Sequence, residues 1–232
     1  YQSESIKHTF SSENIIDCGR KLKGWFTGDF LRDLPNVRGD IFVSASIGYL
    51  LIGKYDAFGG PIGQMFIQSI RDRWPKLEDA SIGDEGEEGL FPDIRKGTIH
   101  WLIKSQEATD LIDQLVEEIN VGYFNLDISD KAREYQFTVY DDVNDHYDWH
   151  QDIYDDDETD FARELSISVC LSSSEMYDGA ELFVKDGSDS NVRVFKMKYG
   201  DFVVFPSKCE HRVNALREGR RISLVIWYGY YK

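Results

Sequence analysis

The chain has 232 residues, of which 41% are hydrophobic and 14% aromatic, so it is long enough and apolar enough to bury a full globular core. Its 26 Lys and Arg against 42 Asp and Glu give a formal net charge of −16, which disfavours both nucleic acid and a membrane surface as partners. The three cysteines are too widely spaced for a CxxC zinc site, and no apolar run is long enough to cross a bilayer, so we expect a cytoplasmic protein.

The first half of the chain predicts helices separated by turns. Apolar residues at near-helical spacing predict an amphipathic helix over residues 11–26. Gly and Pro make residues 53–63 rich in turn formers, and a second helix is expected over residues 64–74, ending at Pro75. Residues 84–89 (DEGEEG) predict an exposed acidic loop.

A strand and a third helix complete this half. Thr98–Ile103 has strand-like composition, and Ser105 is placed to cap a helix whose apolar face includes Leu111 and Ile119. Residues 1–130 are therefore predicted as a largely helical region that packs on a β core formed by residues 131–232, the two making one structural domain.

After Lys131 the pattern changes to short strands separated by Gly, Ser and Asp turns. The predicted strands are Tyr135–Tyr140, Tyr147–Ile153, Glu164–Leu171, Ala180–Val184, Val192–Met197, Asp201–Phe205, His211–Ala215 and Arg221–Trp227. Eight such strands indicate a mainly β fold with flanking helices, a cupin-like double-stranded β-helix or jelly roll.

The pattern His150-Gln151-Asp152 predicts part of a metal site. Residues two apart on a strand point to the same side, so this imidazole and this carboxylate can converge on one ion. His211, at the start of a later strand, is the candidate third ligand. Two histidines and one carboxylate leave adjacent coordination positions open, which is the arrangement of non-haem Fe(II) oxygenases.

A second group of residues is suited to bind an oxoacid at the open positions. Arg221 can form two parallel hydrogen bonds with a carboxylate, and Ser223, which shares its strand face, can donate a third. Tyr140, on the strand before His150, is a further candidate to hydrogen-bond the same ligand, 2-oxoglutarate.

Five ordered segments carry a family resemblance: Tyr147–Asp152 (YDWHQD), Arg163–Leu171 (RELSISVCL), Tyr177–Leu182 (YDGAEL), Gly200–Pro206 (GDFVVFP) and Arg220–Trp227 (RRISLVIW). In this order they resemble the prolyl-4-hydroxylase-like branch of the Fe(II)/2-oxoglutarate dioxygenases, including its bacterial and phage members. The resemblance implies a double-stranded β-helix, iron on His150, Asp152 and His211, and 2-oxoglutarate anchored by Arg221.

The resemblance also implies the reaction. The cofactor is Fe(II), the co-substrates are 2-oxoglutarate and O2, ascorbate is a further candidate, and the product is a hydroxylated substrate formed with release of succinate and CO2. A prolyl residue in a peptide or protein is the expected substrate, and free amino acids or other small molecules stay open. The sequence does not give the oligomeric state.

One position departs from the family pattern. Family members often have Gly-Gly-Glu-Leu where this chain has Gly179-Ala180-Glu181-Leu182. An alanine fits the second position only if its backbone does not need a positive φ, so a slightly different local turn is compatible with this substitution, and no ligand is lost.

Three other classes of protein fit parts of the pattern. An oxidative demethylase of nucleic acid can use the same scaffold, although the net charge of −16 disfavours it. A jelly-roll module that binds a metal or a ligand without turnover has no need for Arg221 and Ser223. A cupin-type enzyme with another ion at the same triad is separable by metal reconstitution.

Overall fold

The structure is a computed structural model that describes residues 8–10, 37–41, 51–55, 78–80, 91–101, 113, 116–129, 132–153, 160–185 and 192–232. The helices predicted at 11–26 and 64–74, the cap at Ser105 and the acidic loop at 84–89 lie outside the described residues.

Short antiparallel strands make up most of the described chain. In chain order they are β1 (His8–Phe10), β2 (Val37–Ile41), β3 (Leu51–Tyr55), β4 (Glu78–Asp79), β5 (Arg95–Lys96), β6 (Thr98–Trp101), β7 (Ala132–Tyr140), β8 (His146–His150), β9 (Phe161–Cys170), β10 (Tyr177–Gly179), β11 (Leu182–Lys185), β12 (Val192–Phe195), β13 (Asp201–Pro206), β14 (His211–Val213), β15 (Leu216–Gly219) and β16 (Arg221–Tyr231).

The strands form two main sheets and a small third one. The larger sheet has the order β1-β2-β3-β13-β9-β16-β7-β6-β4, and the smaller one has the order β12-β11-β14-β8-β5. Strands β10 and β15 pair separately. At the centre of each main sheet the neighbours are non-consecutive strands, β13-β9-β16-β7 in the larger sheet and β11-β14-β8-β5 in the smaller one. This is the topology of a jelly roll, and the predicted fold class is confirmed.

The core is built from the inward-facing residues of both sheets. Strand β16 lies at the centre of the larger sheet between β9 and β7, and its Leu224 and Ile226 are fully buried. A buried cluster with members from both sheets consists of Tyr140, Cys170, Tyr177, Ala180, Leu182, Val184, Met197, Val203, Phe205, Cys209, Val213 and Leu216. Burying such apolar surface contributes about 25 cal/mol per Å² and is the main stabilising term of the fold.

Two predicted strands differ from the structure. The strand predicted over Ala180–Val184 begins only at Leu182, because Gly179 and Ala180 have φ values of 85° and 48°, which no strand residue adopts. The condition stated above for an alanine at position 180 is therefore not met, and Ala180 takes a left-handed backbone conformation. The strand predicted over Tyr147–Ile153 ends at His150.

Residues before 101 contribute strands to the same sheets. Leu51–Tyr55 pairs with β13, although turn formers had been predicted from Gly53 onward. Arg95–Lys96 pairs with β8, and Thr98–Trp101 pairs with β7. The last of these agrees with the strand predicted over Thr98–Ile103, of which Thr98–Trp101 is described. The other early strands, of two to five residues, are too short for a period-2 pattern to show, which is why the sequence did not predict them.

One helical segment is described in part. Residue 113 and residues 116–119 are helical, in agreement with the helix predicted there, and the chain then forms a π-helical turn over Asn120–Phe124. The turn ends where Asn125 takes a left-handed conformation with φ 52°. Within the part of the chain that the structure describes, no helix has the length and apolar character needed to cross a membrane. The division of the chain at residue 131 stays a prediction.

Candidate active site

The register of two neighbouring strands brings the two predicted histidine ligands together. His150 ends β8, His211 begins β14, and the two residues are direct partners in this antiparallel pair. Directly opposed residues in such a pair lie about 5 Å apart. Their ring centroids are accordingly separated by 4.1 Å.

Asp152 reaches the histidines from the turn that follows β8. Its backbone N–H donates to Ser207 O at 2.9 Å, which bends the chain back toward the site. The two carboxylate oxygens lie 3.7 Å from His150 Nε2 and 3.4 Å from His211 Nε2. One ligand atom from each residue falls within 4.8 Å of the others, so the predicted triad converges. It does so through a turn, not through a shared strand face.

Backbone carbonyls set the tautomer of both histidines. His150 Nδ1 lies 2.7 Å from Asp148 O, and His211 Nδ1 lies 2.9 Å from Cys209 O. A carbonyl oxygen can only accept, so each Nδ1 carries the proton and donates it. Each Nε2 is then left with its lone pair, and both face Asp152, as a metal ligand requires.

The protonation states at this site suit a divalent cation. Burial, together with the neighbouring His211, lowers the pKa of His150 to about 3. Burial alone would raise the pKa of Asp152, but His211, His150 and the Trp227 indole N–H together lower it below its usual value. Near neutral pH His150 is therefore a neutral donor and Asp152 an anionic one.

Side chains behind the ligands hold them in place. The Ser166 hydroxyl donates to Asp152 Oδ2 at 2.8 Å and also contacts Ser207 Oγ at 2.9 Å. On the other side, the Tyr147 ring stacks on His150 with centroids 3.5 Å apart. Sequence reasoning missed these residues. For Ser166 a signal existed, since it is a polar residue that stands between the apolar Leu165 and Ile167 in the buried part of its strand.

Arg95 extends this stack from the first half of the chain. Its guanidinium lies 4.5 Å from the centre of the Tyr147 ring and donates to Gln136 Oε1 at 2.8 Å. The pairing of β5 with β8 places it there, because Arg95 is the direct partner of Tyr147. No sequence pattern marked Arg95, since its strand has two residues.

The residues predicted to bind an oxoacid also lie together. Arg221, the first residue of β16, is the direct partner of Tyr140 at the end of β7, and its guanidinium lies 5.7 Å from the centre of that ring. Arg221 Nη1 lies 3.3 Å from the Ser223 hydroxyl oxygen. Exposure is 1% for Arg221, 2% for Ser223 and 3% for Tyr140.

The Arg221 guanidinium is buried, and none of the described residues places a carboxylate beside it. Its nitrogens contact Ser223 Oγ and, at 3.9 Å, the weakly accepting Met197 Sδ, and Nε has no hydrogen-bond partner among the described residues. A buried unpaired cation is costly, by several kcal/mol as an order of magnitude. A position of this kind fits an anionic ligand that completes the pairing.

The metal triad and Arg221 border the same apolar cluster. Phe205 belongs to it and lies 4.8 Å from the His211 ring, between centroids. Tyr140 belongs to it as well and faces Arg221. A ligand with a chelating group at one end and a carboxylate at the other therefore finds both of its binding groups around one core.

Comparison with known families identifies this part of the chain. Residues 135–229, under half of the chain, match the model of the 2OG-Fe(II) oxygenase superfamily. The superfamily is named for Fe(II) and 2-oxoglutarate, which agrees with a site of two imidazoles and one carboxylate next to a buried guanidinium. The family recognised from the sequence is confirmed.

Curated relatives share a short segment. A PKHD-type hydroxylase of Psychrobacter sp. strain PRwf-1 is 34% identical over 64 residues, which is 28% of this chain and 24% of that protein. A PKHD-type hydroxylase of Pseudomonas putida strain KT2440 is 36% identical over 64 residues, 28% of this chain and 27% of that protein. The matched segment thus spans about a quarter of these relatives.

Solved structures share the fold over most of the chain. A prolyl-4-hydroxylase of Pseudomonas putida aligns with a TM-score of 0.58 and 24% identity over 79% of this chain and 93% of that one. A prolyl hydroxylase of Trichoplax adhaerens, in complex with a peptide fragment of the hypoxia inducible factor oxygen degradation domain, aligns with a TM-score of 0.61 and 18% identity over 78% of this chain and 83% of that one.

Proposed function

We propose that the protein is an Fe(II)- and 2-oxoglutarate-dependent dioxygenase that hydroxylates a prolyl residue in a peptide or protein. The observation that carries the oxygenase reaction is the buried Arg221 guanidinium, which has no carboxylate beside it among the described residues and borders the same core as a His-Asp-His triad. A metal-binding module without turnover has no use for this second group.

The residues divide the work as follows. His150 Nε2, a carboxylate oxygen of Asp152 and His211 Nε2 hold the iron, and their three-ligand set leaves adjacent positions open. Arg221 and Ser223 bind the distal carboxylate of 2-oxoglutarate, and Tyr140 hydrogen-bonds the same molecule. When bound, iron and 2-oxoglutarate supply the oxidising chemistry, in which O2 is consumed, the oxoacid becomes succinate and CO2, and a substrate C–H becomes C–OH.

The apolar wall around these groups keeps water out. Val184, Val203 and Phe205 are at most 1% exposed and belong to the cluster between the sheets. A dry site strengthens the electrostatic contacts of Arg221 with its ligand and limits side reactions of the oxidant.

The prolyl substrate is supported by relatives and not by a residue of this chain. The aligned structures are a prolyl-4-hydroxylase and a prolyl hydroxylase bound to a peptide, and the curated relatives are PKHD-type hydroxylases. Incubation of the loaded enzyme with proline-containing peptides and with free amino acids, followed by mass spectrometry, tests this point. An addition of 16 Da to a prolyl residue supports the proposal, and addition only to a free amino acid contradicts it.

The oxygenase reaction itself is tested by spectroscopy in the absence of O2. Fe(II) and 2-oxoglutarate should together produce a visible metal-to-ligand charge-transfer band, and admission of O2 should then yield succinate. Neither band nor succinate would contradict the proposal. Succinate formation also excludes a binding module, and reconstitution with other divalent ions separates an iron enzyme from a cupin-type enzyme that uses another metal.

Arg221→Ala tests the anchor. Without the guanidinium, the concentration of 2-oxoglutarate needed to form the band should rise at least tenfold, since a charge-assisted, bidentate contact is lost, while the affinity for the metal alone stays unchanged. Arg217→Ala is the matched control, because Arg217 is half exposed and pairs with Asp178 and Glu181 on the surface. Equal loss of metal and 2-oxoglutarate binding would contradict the assigned role.

Neither the demethylase nor the non-catalytic module is supported by the comparisons described above. Absence of a nucleic acid partner and a cytoplasmic location stay predictions.

A further inference from the structure

A tyrosine next to the oxoacid site is not used by the reaction described so far. Tyr177, on β10, is 6% exposed and belongs to the same buried cluster as Met197 and Tyr140. Its hydroxyl donates to the backbone carbonyl of Met197 at 2.5 Å. This hydrogen bond joins β10 to the segment that follows β12, and these two strands belong to different sheets.

Met197 links this tyrosine to the oxoacid anchor. While its carbonyl accepts from Tyr177, its sulfur lies 3.9 Å from Arg221 Nη2. Thioether sulfur is a weak acceptor and a deformable packing group, so its contact with a guanidinium depends on where the backbone holds it. Tyr177 therefore fixes the residue that packs against one side of Arg221.

The phenol also lies close to the guanidinium itself. Burial and the neighbouring Cys170 raise the pKa of Tyr177, and Arg221 opposes them through its charge and a hydrogen bond. Because the single phenolic proton is donated to Met197 O, the Tyr177 oxygen presents only lone pairs to Arg221. Cys170 Sγ lies 3.8 Å from this oxygen, and Cys170 is the direct strand partner of Ser223. Tyr177 is therefore close to the strand pair that carries Ser223.

An arginine side chain has many rotamers, and a bidentate carboxylate contact needs one of them. Among the described residues, the guanidinium contacts Ser223 Oγ, Met197 Sδ and the Tyr177 hydroxyl, so its orientation depends on this surrounding wall. We propose that Tyr177 is a positioning residue for the oxoacid anchor: it holds Met197 in place and so keeps Arg221 oriented toward the distal carboxylate. This inference depends on the proposed function, since it concerns the binding of 2-oxoglutarate.

Tyr177→Phe is the test, because it keeps the ring and removes the hydroxyl. Anaerobic titration of the Fe(II) protein should show weaker 2-oxoglutarate binding by roughly three- to tenfold, the range expected for one lost buried hydrogen bond. Affinity for the metal alone should not change. Pyruvate, which keeps the chelating oxoacid but has no distal carboxylate, should bind to the variant as it does to the unaltered protein.

Tyr228→Phe is the matched control. Tyr228 is 2% exposed, and its hydroxyl donates to Asp113 Oδ1 at 3.1 Å, so this variant also loses a buried phenol hydrogen bond, but one made to a different residue. It should lower the melting temperature and leave 2-oxoglutarate binding unchanged. A purely structural role for Tyr177 would give the two variants the same behaviour.

A double-mutant cycle shows whether the effect passes through Arg221. In the Arg221→Ala background, Tyr177→Phe should weaken 2-oxoglutarate binding no further, because the group that it orients has been removed. Additive losses, equal weakening of pyruvate, or unchanged 2-oxoglutarate affinity in Tyr177→Phe would each overturn the inference. If the unaltered protein forms no complex with Fe(II) and 2-oxoglutarate, the proposed function itself fails, and the two results are thereby distinguished.

Discussion

At the scale of single residues, the ligand geometry depends on groups that never touch the metal. Asp152 lies beyond the end of β8, and its position depends on a backbone hydrogen bond to Ser207 and on the Ser166 hydroxyl. Hydrogen bonds of this kind fix the direction of a ligand lone pair, and their loss typically costs about 10- to 100-fold in metal affinity.

Ser166→Ala should therefore weaken metal binding by roughly tenfold or more. The measurement is a titration of the metal-free protein with Mn(II) or Fe(II) under anaerobic conditions. Ser168→Ala is the control, since Ser168 is also buried on β9, two residues further along, and has no hydrogen bond to a ligand. Equal metal affinity in the two variants would show that Ser166 does not orient Asp152.

The sequence selected the three residues that lie close together, but not the way they are assembled. Residue type and the HxD spacing were enough to choose His150 and Asp152, whereas the shared strand face assumed for them is wrong, because β8 ends at His150. The opposition of His150 and His211 depends on a strand register that no single-sequence pattern contains. Arg95 could not be found for the same reason, since its position beside Tyr147 is also a register effect.

At the scale of elements, the join between β10 and β11 is where the chain passes from the two-stranded sheet to the smaller main sheet. Gly179 and Ala180 both have a positive φ, and the register of β10 with β15 shifts at this point. A Cβ added at Gly179 would lie 2.4 Å from Ala215 O, so no side chain fits there without movement of the backbone. Ala180, by contrast, already has its methyl group buried at 1% exposure.

Gly179→Ala and Ala180→Gly should consequently have very different effects. The first combines a clash with an unfavourable φ and should lower the free energy of unfolding by about 2 kcal/mol or more. The second relieves strain but loses a buried methyl and frees the unfolded chain, so the change should stay within about 1 kcal/mol. Urea denaturation measures both, and similar losses would contradict this account.

The strands that the sequence predicted well are the long or strongly apolar ones. β9 and β16, predicted as Glu164–Leu171 and Arg221–Trp227, were found over most of their length because they are rich in buried apolar residues. β10, β15 and the strands before residue 101 are short, and their residues are specified by partners far away in the chain. The local sequence pattern carries little information about such short strands, and pairing with distant strands determines where they form.

At the scale of the whole molecule, the net charge of −16 opposes compaction. Some acidic groups are paired locally, as Asp178 is with Arg217, whose guanidinium, mainly through its hydrogen bond, holds the pKa of that carboxyl at about 2. Sixteen negative charges nevertheless remain in excess, and their mutual repulsion is screened by salt over about 10 Å at 0.1 M ionic strength.

Raising NaCl from about 20 mM to about 300 mM should thus increase the melting temperature by a few degrees at neutral pH. Near pH 5, close to the sequence pI of about 4.7, the same change should have little effect because the excess charge is largely neutralised. Differential scanning calorimetry compares the four conditions. A salt effect of equal size at both pH values would mean that general charge repulsion is not its source.

Strands from the first half of the chain pair with strands of the second half, so residues 132–232 depend on the earlier residues to complete their sheets. Strand β13 has β3 along one side, β8 has β5 and β7 has β6, so each is flanked by residues that precede position 102. A fragment cut at residue 132 would keep every proposed ligand of iron and 2-oxoglutarate yet expose three unpaired strand edges, which invite aggregation. The region that carries the family signature is therefore not expected to fold by itself when it is transferred to another protein.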